Sequence, residues 1–123
     1  MKTENKETLV IGASENLERY SNKAMKMLKS HGHSVLALGN REGEVDGIKI
    51  HKSANENWKP HTVTLYLGPR NQPNIYPLIK KMHPRRVIFN PGTENPGFEK
   101  DLRDLGIETL EACTLVLLAT DQF

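Results

Sequence analysis

The chain has 123 residues, a length that suits one domain around a single core. Apolar residues make up 37% and charged residues 26%, with a formal net charge of +2. So small a charge, without aromatic residues interleaved among the basic ones, gives no argument for a nucleic-acid partner. One cysteine excludes an internal disulfide framework and fits a reducing compartment. The longest apolar run is too short to span a bilayer. Met1 to Glu7 is polar, without the apolar centre of a signal peptide, so the expected location is cytoplasmic. Neither an internal repeat nor a low-complexity linker interrupts the chain.

Residues 1–6 read as a frayed lead-in. Thr8-Leu9-Val10-Ile11 is a wholly apolar, β-branched run that suits a strand buried on both faces. Gly12-Ala13-Ser14 breaks it, and a polar loop from Glu15 leads to Ser21, placed to cap a helix. That helix carries Tyr20, Ala24, Met27 and Leu28 on one face, and Gly32 can take a left-handed cap after it. Ser34 to Leu38 is a second strand, closed by a turn from Gly39 to Gly43. Gly47 to Ile50 alternates as a short edge strand, and Ser53 to Pro60 is irregular. Thr62 to Leu67 is the next strand, ended by Gly68-Pro69.

A helix follows from near Pro73, with Ile75, Leu78, Ile79 and Met82 as its buried stripe, and His83-Pro84 stops it. Arg86 to Phe89 is a strand leading into the turn from Asn90 to Asn95. Asn95 and Pro96 form a helix cap and first position, Phe98, Leu102 and Leu105 a stripe, and Gly106 an end. Ile107 to Leu110 is a last strand. The apolar tail from Thr114 to Leu118 fits strand or helix equally.

This alternation predicts a single α/β domain with a mostly parallel sheet of about five to six strands and helices on both faces. Right-handed crossovers give strand order 3-2-1-4-5 plus a short extra strand. Ligands of such sheets bind outside the carboxyl ends of the strands, where the order reverses. The segments Ser14 to Arg19, Gly39 to Arg41, Gly68 to Asn71 and Asn90 to Asn95 all rim that edge. Lys80, Lys81, Arg85 and Arg86 fall on the opposite edge and read as solvated charge. The first turn and the helix after it form an anion site from loop amides and a helix start. One glycine in that turn, and no acidic residue ending strand two, argue against a dinucleotide of the NAD type.

Gly12 to Asn40 resembles the opening of the small single-domain CoA-binding proteins. These are Rossmann-like relatives of the N-terminal domain of the succinyl-CoA synthetase α subunit. Arg19-Tyr20-Ser21 matches the family's Arg-x-Ser. Leu67-Gly68-Pro69, Asn90 to Asn95 and Glu111-Ala112-Cys113 resemble its later turns in order and spacing, so the likeness covers nearly the whole chain. Leu38-Gly39-Asn40-Arg41 departs from the family's Asn-Pro-basic turn, with Arg41 as the candidate for the basic position.

The resemblance implies CoA or an acyl-CoA as ligand, held by its nucleotide end. The amides of Ala13 and Ser14, after Gly12, and the Ser14 hydroxyl would donate to the pyrophosphate. Arg19 and the helix start at Ser21 and Asn22 would add positive potential. Arg41, beside Asn40, has a fork suited to the terminal phosphate. Leu67, Gly68 and Pro69 would wall the adenine, Asn71 is a further binding candidate on the same turn, and Thr93, Glu94 and Asn95 would meet the pantetheine or phosphate side. Cys113 is either a small buried residue or a thiol facing the end of the pantetheine arm. The five histidines pair with no nucleophile, and neither HExxH, CxxC nor clustered carboxylates suggest a metal. A non-catalytic carrier, sensor or partner module is therefore expected, monomeric or homodimeric, with no membrane partner. The alternatives are an enzyme component acting on CoA derivatives within a complex, and an interaction module that has lost its ligand.

Overall fold

The computed structural model describes residues 4–123. Strand β1 (Thr8–Ile11) lies at the centre of a seven-stranded sheet and is buried along its whole length. On one side it pairs in parallel with β2 (Val35–Leu38), and on the other with β5 (Thr62–Leu65). Beyond β2 come β4 (Ile48–His51), again parallel, and β3 (Gly43–Val45), antiparallel at the edge. Beyond β5 come β6 (Arg86–Phe89) and β7 (Glu108–Glu111), both parallel. The order is thus β3-β4-β2-β1-β5-β6-β7. The expected reversal beside strand one is present; β3 is the one strand not expected, and because it covers β4 the segment at Gly47 to Ile50 is not the edge strand its alternation suggested.

Period-two alternation divides the apolar residues between two cores. Leu9, Ile11, Val63, Leu65, Val87 and Phe89 face α2 (Tyr76–Met82) and α3 (Pro96–Asp104) through Ile79, Met82, Phe98 and Leu102. Val10, Ala37 and Ile50 face α1 (Tyr20–Ser30) and α4 (Thr114–Ala119) through Met25, Leu28 and Leu118. Each large apolar side chain so enclosed contributes roughly 1.5–3 kcal/mol relative to exposure. The apolar tail is therefore a helix, and α1 packs against it.

Several local expectations are corrected. Helix α1 has no side-chain cap; Arg19 stands at its N-cap, and Ser21 is buried in its first turn. Its inward face is Ser21, Asn22, Ala24, Met25 and Leu28, whereas Tyr20 is 68% exposed. Leu105, read as part of the α3 stripe, is 46% exposed because the helix has ended at Asp104. The turn after β2 leads directly into β3, which folds back on β4 through Asp46-Gly47, both at positive φ (49° and 80°). That is the two-residue turn whose twist suits a hairpin. Asn95 does cap α3: its side chain accepts from the Phe98 amide (3.2 Å), and Glu99 accepts in return from the Asn95 amide (3.0 Å).

The amino-terminal edge differs most from expectation. Arg86 is only 8% exposed; its Nε donates to Thr62 Oγ1 (2.8 Å), and its guanidinium lies 4.2 Å from the Phe123 ring centroid. It is packed, not solvated. Asn5 and Lys6, read as frayed, are held: Asn5 exchanges hydrogen bonds with Ser34, and the Lys6 amide donates to Nδ1 of buried His33 (3.0 Å). Residues 1–3 lie outside the described residues.

Candidate functional site

The chain leaves β1 through Gly12, at φ +94°, where a Cβ would meet the Tyr66 carbonyl oxygen at 3.0 Å and its Cβ at 3.1 Å. Only glycine fits both the backbone angle and the space. The amides of Gly12 and Ala13 both donate to the Leu38 carbonyl (2.9 and 3.0 Å). The Ala13 amide, expected to face a ligand, is therefore bonded within the sheet edge. The Ser14 hydroxyl accepts from the Asn16 amide (3.0 Å), Asn16 Oδ1 accepts from the Glu18 amide (3.0 Å), and Asn22 Nδ2 donates to the Ser14 carbonyl (3.0 Å). Glu15 reaches across the sheet end to accept from the Glu44 amide on β3 (3.0 Å). Asn22, only 1% exposed, props the loop from beneath rather than facing outward.

Above this edge lie two cavities that share Gly12, Asn40 and Leu67 as lining, and so form two lobes of one crevice. The lobe on the α1 side, about 460 Å³, is lined by Ala13, Ser14, Glu15, Arg19, Arg41 and Glu42, with Tyr66 as a wall. Burial pushes the Tyr66 phenol up to about 12, so it stays protonated. The lobe on the α2 side, about 410 Å³, is lined by Ile11, Leu38, Lys52, Arg70, Asn71 and Ile75 among others. Both volumes fall in the range of small-molecule sites.

Of the residues singled out in the sequence, Gly12, Ala13, Ser14, Arg19, Asn40, Arg41, Leu67 and Asn71 line the crevice. Gly68 and Pro69 lead into the lining turn without lining it, and Ser21 lies buried below. Thr93, Glu94 and Asn95 line neither lobe. Thr93 bonds back to Asn90, Glu94 accepts from the Gly92 amide, and Asn95 Nδ2 donates to Gln72 Oε1 (2.9 Å) and the Tyr76 hydroxyl (2.7 Å). Cys113 is half-buried at the N-cap of α4, outside both lobes. Lys52 and Arg70 were not singled out. Arg70 lies within the Gly68 to Asn71 rim, whereas Lys52 lies in none of the expected segments, although the strand-end rule applied to β4 reaches it.

A central parallel sheet, a glycine turn after β1 and a cation-lined crevice at the order reversal together define a Rossmann-like ligand-binding domain. A family model described as a CoA binding domain matches residues 6–119, and the chain belongs to that family. No curated protein matches the sequence. A solved structure described as an uncharacterized protein is 43% identical, with 98% of this chain and 100% of that one covered and a TM-score of 0.95. A hypothetical protein from Pyrococcus horikoshii OT3 is 26% identical, covering 91% of this chain and 80% of its own, with a TM-score of 0.82. The structure of cell-free ID.343 from Thermus thermophilus, at 22% identity, covers 96% and 91% with a TM-score of 0.81, which shows the shared fold. Among the described residues no helix is long and apolar enough to cross a membrane.

Proposed function

We propose that the crevice binds CoA or an acyl-CoA by its nucleotide end, and that the protein acts as a non-catalytic carrier, sensor or partner module. The observation that carries this reading is the placement of four cations, Arg19, Arg41, Lys52 and Arg70, around a groove that opens on the glycine turn of a CoA-binding-family chain. The Ser14 amide and hydroxyl, with Arg19 and Arg41, are suited to a pyrophosphate. Leu67 and the turn after it offer an apolar wall to adenine. None of the five histidines lines either lobe, which supports binding rather than turnover. Titration calorimetry with CoA, dephospho-CoA and NAD tests the reading. CoA is expected to rank first; no heat with CoA at millimolar concentration, or a preference for NAD, would overturn it.

A further inference from the structure

The two lobes differ in charge. In the lobe on the α1 side, Arg19 and Arg41 are matched by the carboxylates of Glu15 and Glu42 in the same lining. Glu15 is fixed there by its hydrogen bond to the Glu44 amide. The lobe on the α2 side carries Lys52 and Arg70 and no carboxylate. Among the described residues neither cation takes part in an ion pair. The lobe therefore holds two uncompensated positive charges above an apolar floor of Ile11, Leu38 and Leu67.

We propose that Lys52 and Arg70 form a clamp for a phosphomonoester on the ribose, and that this clamp, not Arg41, selects ligands carrying the 3′-phosphate. The proposal rests on the CoA reading above and names the residues that give it specificity. A phosphomonoester carries close to two negative charges at neutral pH, whereas each phosphate of a pyrophosphate diester carries one. The dianion belongs with the uncompensated pair, and the diester with the balanced lobe. Lys52 sits one residue past β4, and Arg70 in the single helical turn after β5. Those strands are three places apart in the sheet, about 14 Å at the usual spacing, so the two long side chains approach one ligand from opposite sides. Arg70 supplies a planar fork and Lys52 a point charge. The turn bearing Arg70 is anchored by fully buried Gln72, whose Nε2 donates to the Leu67 carbonyl (2.9 Å) and the Thr93 carbonyl (2.7 Å). The arginine is thus presented from a fixed base.

Calorimetry on the full chain and on R70Q, K52Q and R41Q tests the clamp, with CoA, dephospho-CoA, adenosine 3′,5′-bisphosphate and 5′-AMP as probes. Both clamp residues are exposed, so glutamine leaves the core untouched. The unsubstituted protein is expected to prefer CoA over dephospho-CoA, and the bisphosphate over 5′-AMP, by tenfold or more. R70Q and K52Q should each narrow both ratios by roughly tenfold or more, the scale of hydrogen bonds to a charged group. R41Q should weaken CoA and dephospho-CoA alike and keep their ratio. Equal binding of CoA and dephospho-CoA by the unsubstituted protein, or a ratio lost in R41Q and kept in R70Q and K52Q, would overturn the clamp. If CoA fails to bind while the bisphosphate binds through Arg70 and Lys52, the clamp stands and the CoA reading falls. Binding of none of the probes removes both.

Discussion

Asn90→Ala removes the side chain that ties the end of β6 to β5 and α4. Asn90 is 2% exposed at the end of β6. Its Nδ2 donates to Thr64 Oγ1 (2.6 Å) and to the Leu65 carbonyl (2.8 Å) on β5, and its Oδ1 accepts from the Thr114 amide (2.8 Å) at the start of α4. Alanine leaves that helix amide and the Leu65 carbonyl without these partners. Thr64 keeps the Thr114 hydroxyl (2.8 Å). Three buried hydrogen bonds, each contributing a net 0.5–1.5 kcal/mol and leaving desolvated groups behind, add up to a loss of about 3–4 kcal/mol. That is a large part of the usual stability of a single domain, roughly 5–15 kcal/mol. At about 4 °C per kcal/mol for a chain of this size, Tm should fall by roughly 12–16 °C. Urea unfolding should show a lower midpoint at unchanged slope. Hydrogen exchange should be fastest to change at the amides of α4, which loses its anchor. A loss under about 1 kcal/mol would refute the reasoning, because it would mean that the bonds exchange for water without cost.

Further expectations follow from other parts of the molecule. Burial first, then the charges of Lys6 and Arg86 among others, lowers His33; burial and then Arg86 lower His61. With folded pKa values below the ordinary 6.5, the unfolded chain takes up protons first, so stability is full above about pH 6.5 and falls as pH drops below it. The urea midpoint should be lower at pH 5.5 than at pH 7.5, and His33→Gln should flatten the slope; a higher midpoint at pH 5.5 would contradict this. Gly12→Ala forces a Cβ into the left-handed region against the Tyr66 backbone and should cost at least about 1–2 kcal/mol; a melting curve unchanged from the parent would show that the turn relaxes freely. Cys113 lines neither lobe, so incubation with CoA disulfide should leave the intact mass unchanged. A CoA-sized adduct that reduction reverses and Cys113→Ser abolishes would place the thiol at the end of the pantetheine arm instead.

The elements read most accurately from sequence are those whose residues have one physical option. β1 and β6 carry apolar runs in a sheet covered on both faces, and their limits match the expected ones. Asn95-Pro96 sets the start of α3 by a cap and a missing amide. Asp46-Gly47 was equally informative and passed over, because Gly43–Val45 is too short to display an alternation. Arg86 stands at the edge its strand start implies, but its charge suggests solvent while its burial depends on Phe123, 37 positions away, beside the guanidinium. Both cavities lie at the carboxyl edge to which the strand-end rule points, and membership of their lining depends on lateral distance. Thr93 to Asn95 follow β6, two strands from β1, and fall outside it; Lys52 follows β4, also two strands away, and reaches back with a long side chain. The engagement of the Ala13 amide depends on the register of β2 against β1, which no local pattern encodes.

The braces on the loop after β1 bear on the kinetics of whatever occupies the crevice. Ser14, Asn16, Asn22 and the Glu15 link to β3 hold the loop through hydrogen bonds made within the chain itself. The entropy of ordering it is spent during folding, so an arriving molecule encounters a finished surface. Association is then governed by diffusion and by the field of the uncompensated Lys52 and Arg70, and should slow as salt screens them. Variants at the lining should differ mainly in residence time. Glu15→Ala cuts one of these braces and leaves the bonds of Ser14, Asn16 and Asn22 in place, so it should loosen the tie to β3 and slow arrival only modestly.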